Sequence, residues 1–522
     1  MRSLFLQEQK RYTWEDLLGA FGHSESDRKG EADCKRILKR LKEFGIIKLV
    51  KADPRQKDLT DLANQDIEIA DIEVAGDKYF YVCTFVGVII IDKLVLKCFP
   101  KYLPSVTEPQ KEFENGPEKE LKQVFKVLDK YKNSHEESLH MYSDMTDTSD
   151  RVNLLGIILF LIRDYFEYGV YTNTEEVIEV NGTGEILWDK TINEAFTLIS
   201  NNRPYYPEMF TRKRRNKDHD FYQRLHSCIL TECSLLLREA GLLDLFDITE
   251  VDISDEQLED FGDQDYILDR ISKELKVQFN TRKQILLKTL YSYIENKESL
   301  DHQDCLSTYG TNSFNLVWED VCKNIMGDQL KKSLSDLRSE IPDLLSEEKS
   351  KKDEREFLLQ QIERPKWSSP DGSPLPDQVH TLIPDGITIK KIEESYKFII
   401  FDAKYYNIQL DQGKELKGQP GIESITKQYL YQLAYKPFLE KHNIGEDAVW
   451  NCFLMPTPDD EIIHKGWASL DMLTKLNLNP IQVLLLPASK CYQFYLRNEQ
   501  LELKSEDFNN FTIPDKLKPK KK

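Results

Sequence analysis

At 522 residues with 40% apolar content, the chain is too long for one ordinary core, which excludes a small single-core module and predicts two to four domains. Ninety acidic residues against 71 basic ones give a formal net charge of −19, which excludes a protein that coats nucleic acid through sequence-independent phosphate neutralisation. The nine cysteines lie scattered from Cys34 to Cys491 without paired spacing, which excludes a disulfide framework and a zinc cluster and predicts reduced thiols.

From the N-terminus, residues 11–50 predict a helix around WEDLLGAF, a second in CKRILKRLKEFG and then a strand in IIKLV, the order of a winged-helix-like module. Buried strands follow in FYVCTFVGVIIID and KLVLKCF, so residues 1–135 are expected to form a winged-helix-like and β-rich domain. The acidic, Ser/Thr-rich stretch NSHEESLHMYSDMTDTSD reads as a linker near residue 140. The apolar run LLGIILFLI from Leu154 is about half of what a bilayer-spanning helix needs, so it predicts a buried helix and no membrane partner. With no charged-then-apolar signal pattern at the start, the expected location is the cytoplasm.

Residues 150–300 predict a helical region with a β-like insert carrying GTGEILW and Asp189-Lys190-Thr191, then a helix in YQRLHSCILTECSLLLREAG. His219 and His226, seven apart, read as surface histidines because no cysteine or acid completes a ligand register, and no structural zinc is expected. Cations gather in TRKRRNK from Thr211, at Lys390-Lys391 and in the terminal KLKPKKK of a basic tail over residues 501–522. Each run reads either as a phosphate or partner contact, with Arg212, Arg214 and Arg215 as candidates, or as a solvated face.

Residues 301–500 carry the chemistry. FNLVWEDVCKNIM predicts an amphipathic helix with Phe314, Val317, Val321 and Ile325 on one face and Glu319 near its first turns. A Pro384-Asp385-Gly386 turn precedes the apolar strand FIIF, which runs into Asp402-Ala403-Lys404. Residues i and i+2 share a strand face, so Asp402 and Lys404 point the same way. TKQYLYQLAYKPFLEKH predicts a helix and AVWNCFLMP a further strand. Two carboxylates converging on one point repel unless a cation lies between them, and an all-oxygen pair with room for water suits Mg²⁺. A nearby ammonium can orient or help deprotonate water, so the parts fit metal-assisted phosphodiester hydrolysis. Other readings stand beside this one: a solvated strand end or exposed ion pair for Asp402 and Lys404, a residue favoured at a helix start for Glu319, and ordinary helix-surface residues for Gln428 and Gln432.

The order helix with Glu, strand, strand with Asp-x-Lys, helix, strand looks like the PD-(D/E)XK nuclease core. The sequences NLVWEDVC, RPKW, TLIPDGI, FIIFDAKYYN, QYLYQLAY and CFLMP, with YVCTFVGVIIID, LKCFPKYL and GTGEILWDKTI outside that region, together resemble the LlaJI-type restriction endonucleases, which are related to McrC. The resemblance covers about Tyr79 to Leu496 and implies an α+β multidomain protein with a C-terminal α/β PD-(D/E)XK nuclease core. It implies Asp385 and Asp402 on Mg²⁺, Lys404 beside the attacking water, Glu319 holding the metal through water, and Gln432 shaping the site.

For the middle region the resemblance implies a stalk and finger that dock on a ring of AAA+ NTPase subunits. The sequence has no Gly-x-x-x-x-Gly-Lys-Ser/Thr loop, so that GTP- or ATP-hydrolysing motor is expected as a separate chain. Double-stranded DNA is the expected substrate, and cognate DNA methyltransferases are expected in the same bacterial restriction system. Two alternatives belong to other classes: a non-catalytic DNA-binding scaffold, and an activator of the partner NTPase for which cleavage is secondary.

Overall fold

The computed structural model describes residues 1–23, 28–51, 79–92, 94–104, 116–134, 153–216, 220–297, 306–342, 355–362, 364, 366–373, 381–392, 395–410, 413, 416, 418–474, 476 and 478–503. The linker expected near residue 140, His219 and the KLKPKKK run lie outside them. Helices and mixed sheets alternate along the chain, an α+β architecture. The chain divides into two compact units, one of Met1–Arg2, Ile90–Lys93 and His140–Thr308, the other of Ser3–Ile89, Leu94–Leu139 and Tyr309–Lys522.

In the first unit, the apolar run from Leu154 forms the helix Leu154–Tyr168, whose Asn153 cap accepts the Gly156 N–H and whose Leu154, Ile158, Leu161 and Ile162 are buried. Among the described residues no helix is long and apolar enough to cross a membrane. The helices Phe221–Glu239, Gln264–Val277 and Thr281–Asn296 belong to the same unit. The strand Phe210–Asn216 runs antiparallel to Thr174–Val180 and to the short strand Glu185–Ile186 of the GTGEILW segment. Arg212 on that strand is paired with Glu185 at 3.0 Å and Glu176 at 3.8 Å, so its charge is matched within the sheet. His226 departs from expectation. It is fully buried, its Nδ1 accepts the Tyr171 N–H at 2.9 Å, and burial pushes its pKa down to about 4. A buried core imidazole bonded through Nδ1 replaces the expected surface histidine.

In the second unit, Thr13 caps the helix Trp14–Ala20 with a capping box through Asp16. The helix Arg28–Glu43 follows, and the strand Ile47–Lys51 pairs antiparallel with Tyr79–Cys83, which also pairs with Arg11–Tyr12. The C-terminal half of this unit is built on a five-stranded sheet in the order Gly386–Ile392, Ser395–Ala403, Val449–Thr457, Ile481–Pro487, Ile463–Ala468. The three inner strands are parallel and the two outer ones antiparallel to their neighbours. Inner strands of a parallel sheet are covered on both faces, which explains the unbroken apolar runs FIIF and VLLLP. Phe398 and Ile400 pack with Tyr435 and Phe438 of the helix Ile422–Lys441.

The N-terminal and C-terminal stretches share this unit through buried polar contacts. The Glu8 carboxylate accepts the Tyr405 hydroxyl at 2.5 Å and the Lys101 N–H at 3.2 Å, while the Tyr102 and Tyr492 hydroxyls lie 3.1 Å apart. The Lys101 ammonium stands 4.5 Å from the Tyr405 ring centre.

Candidate active site

The strand register builds the site. Gly386 pairs with Phe401, so the residue before one strand, Asp385, falls beside Asp402 near the end of the next. The expected Pro384-Asp385-Gly386 turn is instead a bend that leads straight into the strand. Gly386 is required there for space, since a Cβ on it would lie 2.2 Å from Cζ of Phe401. One Asp385 oxygen accepts the Ala403 N–H at 2.9 Å, which ties the first acid to the residue between Asp402 and Lys404.

Asp402 is buried at 6% exposure, and its carboxylate meets the Lys404 ammonium at 2.9 Å, so the i, i+2 reading of that strand holds. Burial first, then the hydrogen bond and charge of Asp402, push Asp385 up to about 7. For Lys404, burial works against the charged form, but the Asp402 carboxylate and the nearby Asp385 outweigh it and hold the ammonium above the usual lysine value. Asp385 is thus held toward its neutral form, while Asp402 pairs with the Lys404 ammonium.

The helix Phe314–Met326 buries Phe314, Val317, Trp318, Val321 and Ile325 as its periodicity predicts. Glu319 lies beyond its first turn, away from the end of the helix dipole, and is bonded to Lys323 at 2.5 Å. Burial first, then the charges of Cys491, Asp385 and Glu319, push the Cys322 thiol well above its usual value. Trp318 donates its indole N–H to the Leu454 carbonyl at 3.1 Å, and the same carbonyl accepts the Lys404 backbone N–H at 2.9 Å.

Gln428 and Gln432 are buried rather than on the helix surface. Gln428 donates to the carbonyls of Ile400 and Cys452, each at 3.3 Å, and the Gln432 oxygen accepts from Asn451 at 3.3 Å. Gln432 therefore braces the helix against the strand Val449–Thr457, at Asn451, which pairs with Ile400, two residues before Asp402. Lys390 also differs from its expected place in a cationic patch. It is partly buried, donates to the Leu501 carbonyl at 3.1 Å, and burial pushes its pKa down to about 8.

Sequence reading missed Asp328 and Gln329. The Asp328 carboxylate accepts the Ile387 N–H at 3.0 Å and the Leu330 N–H at 3.1 Å. Gln329 accepts the Ile389 N–H at 2.8 Å and donates its own N–H to the Ile387 carbonyl at 2.8 Å. Together they hold the outer edge of the strand that Asp385 opens. The available signal was an acid directly after the left-handed Gly327 that ends the helix.

The donor chemistry fits Mg²⁺, which is commonly held by one or two carboxylates with water completing an octahedron. Asp385 and Asp402 would supply that pair. Among the described residues no three of His, Cys, Asp and Glu come close enough together to hold a metal ion, so Glu319 is not a third direct ligand in this arrangement.

The family described as LlaJI restriction endonuclease matches residues 85–340 and 348–489. The chain is 28% identical over 428 residues to the type II restriction enzyme BsuMI component YdjA of Bacillus subtilis (strain 168), covering 81% of this chain and 82% of that one. Among solved structures, a Thermococcus gammatolerans assembly of McrB AAA+ hexamers with bound McrC aligns at 12% identity and a TM-score of 0.34, covering 95% of this chain and 99% of that chain.

Proposed function

Because this chain belongs to the LlaJI restriction endonuclease family, we propose that its C-terminal sheet is a PD-(D/E)XK centre that hydrolyses phosphodiesters of double-stranded DNA with Mg²⁺, as the cutting subunit of a bacterial restriction system in the cytoplasm. The observation that carries the reading is the convergence of Asp385, Asp402 and Lys404 at adjacent strand ends. When bound, Mg²⁺ would supply charge against the phosphate oxygens and make a coordinated water more acidic. Asp385 and Asp402 would hold it, with Glu319 reaching it through water. Lys404, held protonated by its neighbours, suits orienting water and stabilising charge better than removing a proton. Gln432 contributes by fixing the helix that closes over these strands.

The winged-helix reading of residues 11–50 is part of the same proposal, supported by two helices followed by the strand Ile47–Lys51, which pairs antiparallel with Tyr79–Cys83. So is docking on a separate AAA+ NTPase. It is supported by the apolar side chains that the middle region leaves exposed, among them Trp188, Ile192, Phe196, Leu198, Ile199 and Tyr205. Cognate methyltransferases would protect the host DNA.

Plasmid cleavage by the purified chain, with the NTPase of its own system, Mg²⁺ and GTP or ATP, tests the reading. Nicks or breaks should appear with Mg²⁺ and vanish in EDTA. Cutting that persists in EDTA would refute it, and a chain that binds DNA and stimulates the NTPase without cutting would favour the scaffold or activator.

The acid pair also predicts a pH dependence. The folded metal-free chain keeps a proton on Asp385 up to about 7, whereas an unfolded chain releases it near about 4. Stability from this group is therefore complete below the unfolded value and is lost as pH rises through about 7. Mg²⁺ needs the ionised pair, so its stabilisation of the fold should be small near about pH 6 and grow by about pH 8. Thermal melts with and without Mg²⁺ check this, and equal shifts at both values would contradict it.

A further inference from the structure

Two of the sequence runs singled out above, LKCFPKYL and FIIFDAKYYN, meet at the opening strand of the chain. Glu8 follows the strand Arg2–Gln7 and is only 5% exposed. Burying a carboxylate is costly unless its oxygens are bonded. One Glu8 oxygen accepts the Tyr405 hydroxyl at 2.5 Å and the Lys101 backbone N–H at 3.2 Å, and that N–H also lies 3.3 Å from the Tyr405 hydroxyl. The Lys101 ammonium is held in the same place, 2.9 Å from the Gln9 side-chain oxygen and over the Tyr405 ring. Gln9 has a φ of 58°, a left-handed conformation uncommon for a residue with a side chain, and its N–H is bonded to the Cys83 carbonyl at 2.7 Å. Two consecutive residues of the opening segment thus grip one tyrosine and one lysine.

Tyr405 directly follows Lys404, and the strand that carries Asp402 ends at Ala403. Lys404 therefore stands one residue past the sheet pairing, and its place depends on what holds the chain on either side. Its own N–H is bonded to the Leu454 carbonyl at 2.9 Å. The next side chain is fastened to Glu8, with the rings of Phe314 and Tyr102 centred 5.3 and 6.4 Å away. We propose that Glu8 and Tyr405 are positioning residues, a tether from the first strand of the chain that holds Lys404 in register with Asp402 for phosphodiester cleavage. This rests on the nuclease reading above. A misplacement of about 1 Å can cost on the order of a hundredfold in rate, so a tether one residue from the lysine acts on turnover without touching the substrate.

The experiment measures plasmid cleavage over a range of DNA concentrations by the full chain, with the NTPase of its own system, Mg²⁺ and GTP or ATP. It compares wild type, Tyr405→Phe, Tyr102→Phe, Lys404→Ala and the Lys404→Ala, Tyr405→Phe double variant. Tyr102→Phe is the control, because it removes a hydroxyl buried in the same core, 3.1 Å from that of Tyr492, and leaves Glu8 bonded to Tyr405. Tyr405→Phe should lower kcat about tenfold at unchanged KM for DNA. Tyr102→Phe should cut like wild type although it melts like Tyr405→Phe. In the Lys404→Ala background Tyr405→Phe should cost nothing more, because the tether acts through the lysine. Glu8→Gln, which keeps an oxygen able to accept both hydrogen bonds, should lose less than Glu8→Ala. Without metal, DNA or nucleotide, amide hydrogen exchange at Lys404 should quicken about tenfold in Tyr405→Phe and not in Tyr102→Phe. Equal losses in the two tyrosine variants, a full further loss in the Lys404→Ala background, or unaltered exchange at Lys404 would overturn the positioning role and leave the nuclease reading in place. Absence of Mg²⁺-dependent cutting by wild type would overturn the nuclease reading, and the role with it.

Discussion

Asp402→Ala and Lys404→Ala should each lower Mg²⁺-dependent plasmid cleavage by about 10³-fold, the scale set by removing one preorganised charge from a reacting centre. The two losses should differ in kind. Asp402 is a metal donor, the partner of Lys404 at 2.9 Å, and a main reason that Asp385 keeps its proton. Its removal should abolish Mn²⁺ binding and bring Asp385 back toward the ordinary carboxylate range, which carboxyl NMR can follow. Lys404→Ala leaves both acids in place, so the ion should still bind while cutting is lost. Both variants should fold, because Asp402 and Lys404 stand at the end of the strand, after the FIIF run that packs into the core. Full activity in Lys404→Ala would remove that residue from the chemistry, and Mn²⁺ bound normally by Asp402→Ala would place the ion elsewhere.

Trp318→Ala should cost about 3–5 kcal/mol of stability, as truncating a fully buried large aromatic does. Trp318 is completely buried and stands edge-on to Tyr492 at 6.2 Å. Its indole N–H shares the Leu454 carbonyl with the backbone N–H of Lys404, so the loss also loosens the strand position that presents the lysine. Trp318→Phe keeps much of the apolar volume and should cost less, with the missing hydrogen bond contributing about 1 kcal/mol. Denaturant melts of the three proteins separate packing from the hydrogen bond. A Trp318→Ala chain as stable as wild type would show that the helix Phe314–Met326 is not fastened to the sheet in this way.

Local periodicity made the helix Phe314–Met326, the strand Ser395–Ala403, the helix Ile422–Lys441 and the strand Val449–Thr457 legible, because each shows its apolar pattern within its own length. The Asp-x-Lys pair was legible for the same reason. The buried amides were not. Gln428 and Gln432 have the composition of surface residues, and only partners on other elements, Ile400, Cys452 and Asn451, make their burial tolerable. His226 was misread on the same grounds, since its partner is a backbone N–H 55 residues away in sequence. Asp328 and Gln329 look like a helix end, and their grip on Ile387 and Ile389 depends on a chain pairing that has no period to detect.

The hydrogen bond between Glu8 and Tyr405 joins residues 397 apart. At a synthesis rate of 5–20 residues per second, Glu8 waits roughly 20–80 s for its partner to be made. The opening strand therefore cannot reach its final buried surroundings while most of the chain is still on the ribosome. Asp385, Asp402 and Lys404 are all made before Tyr405, so the acids and the lysine are together in the nascent polypeptide only once about three quarters of it has been synthesised.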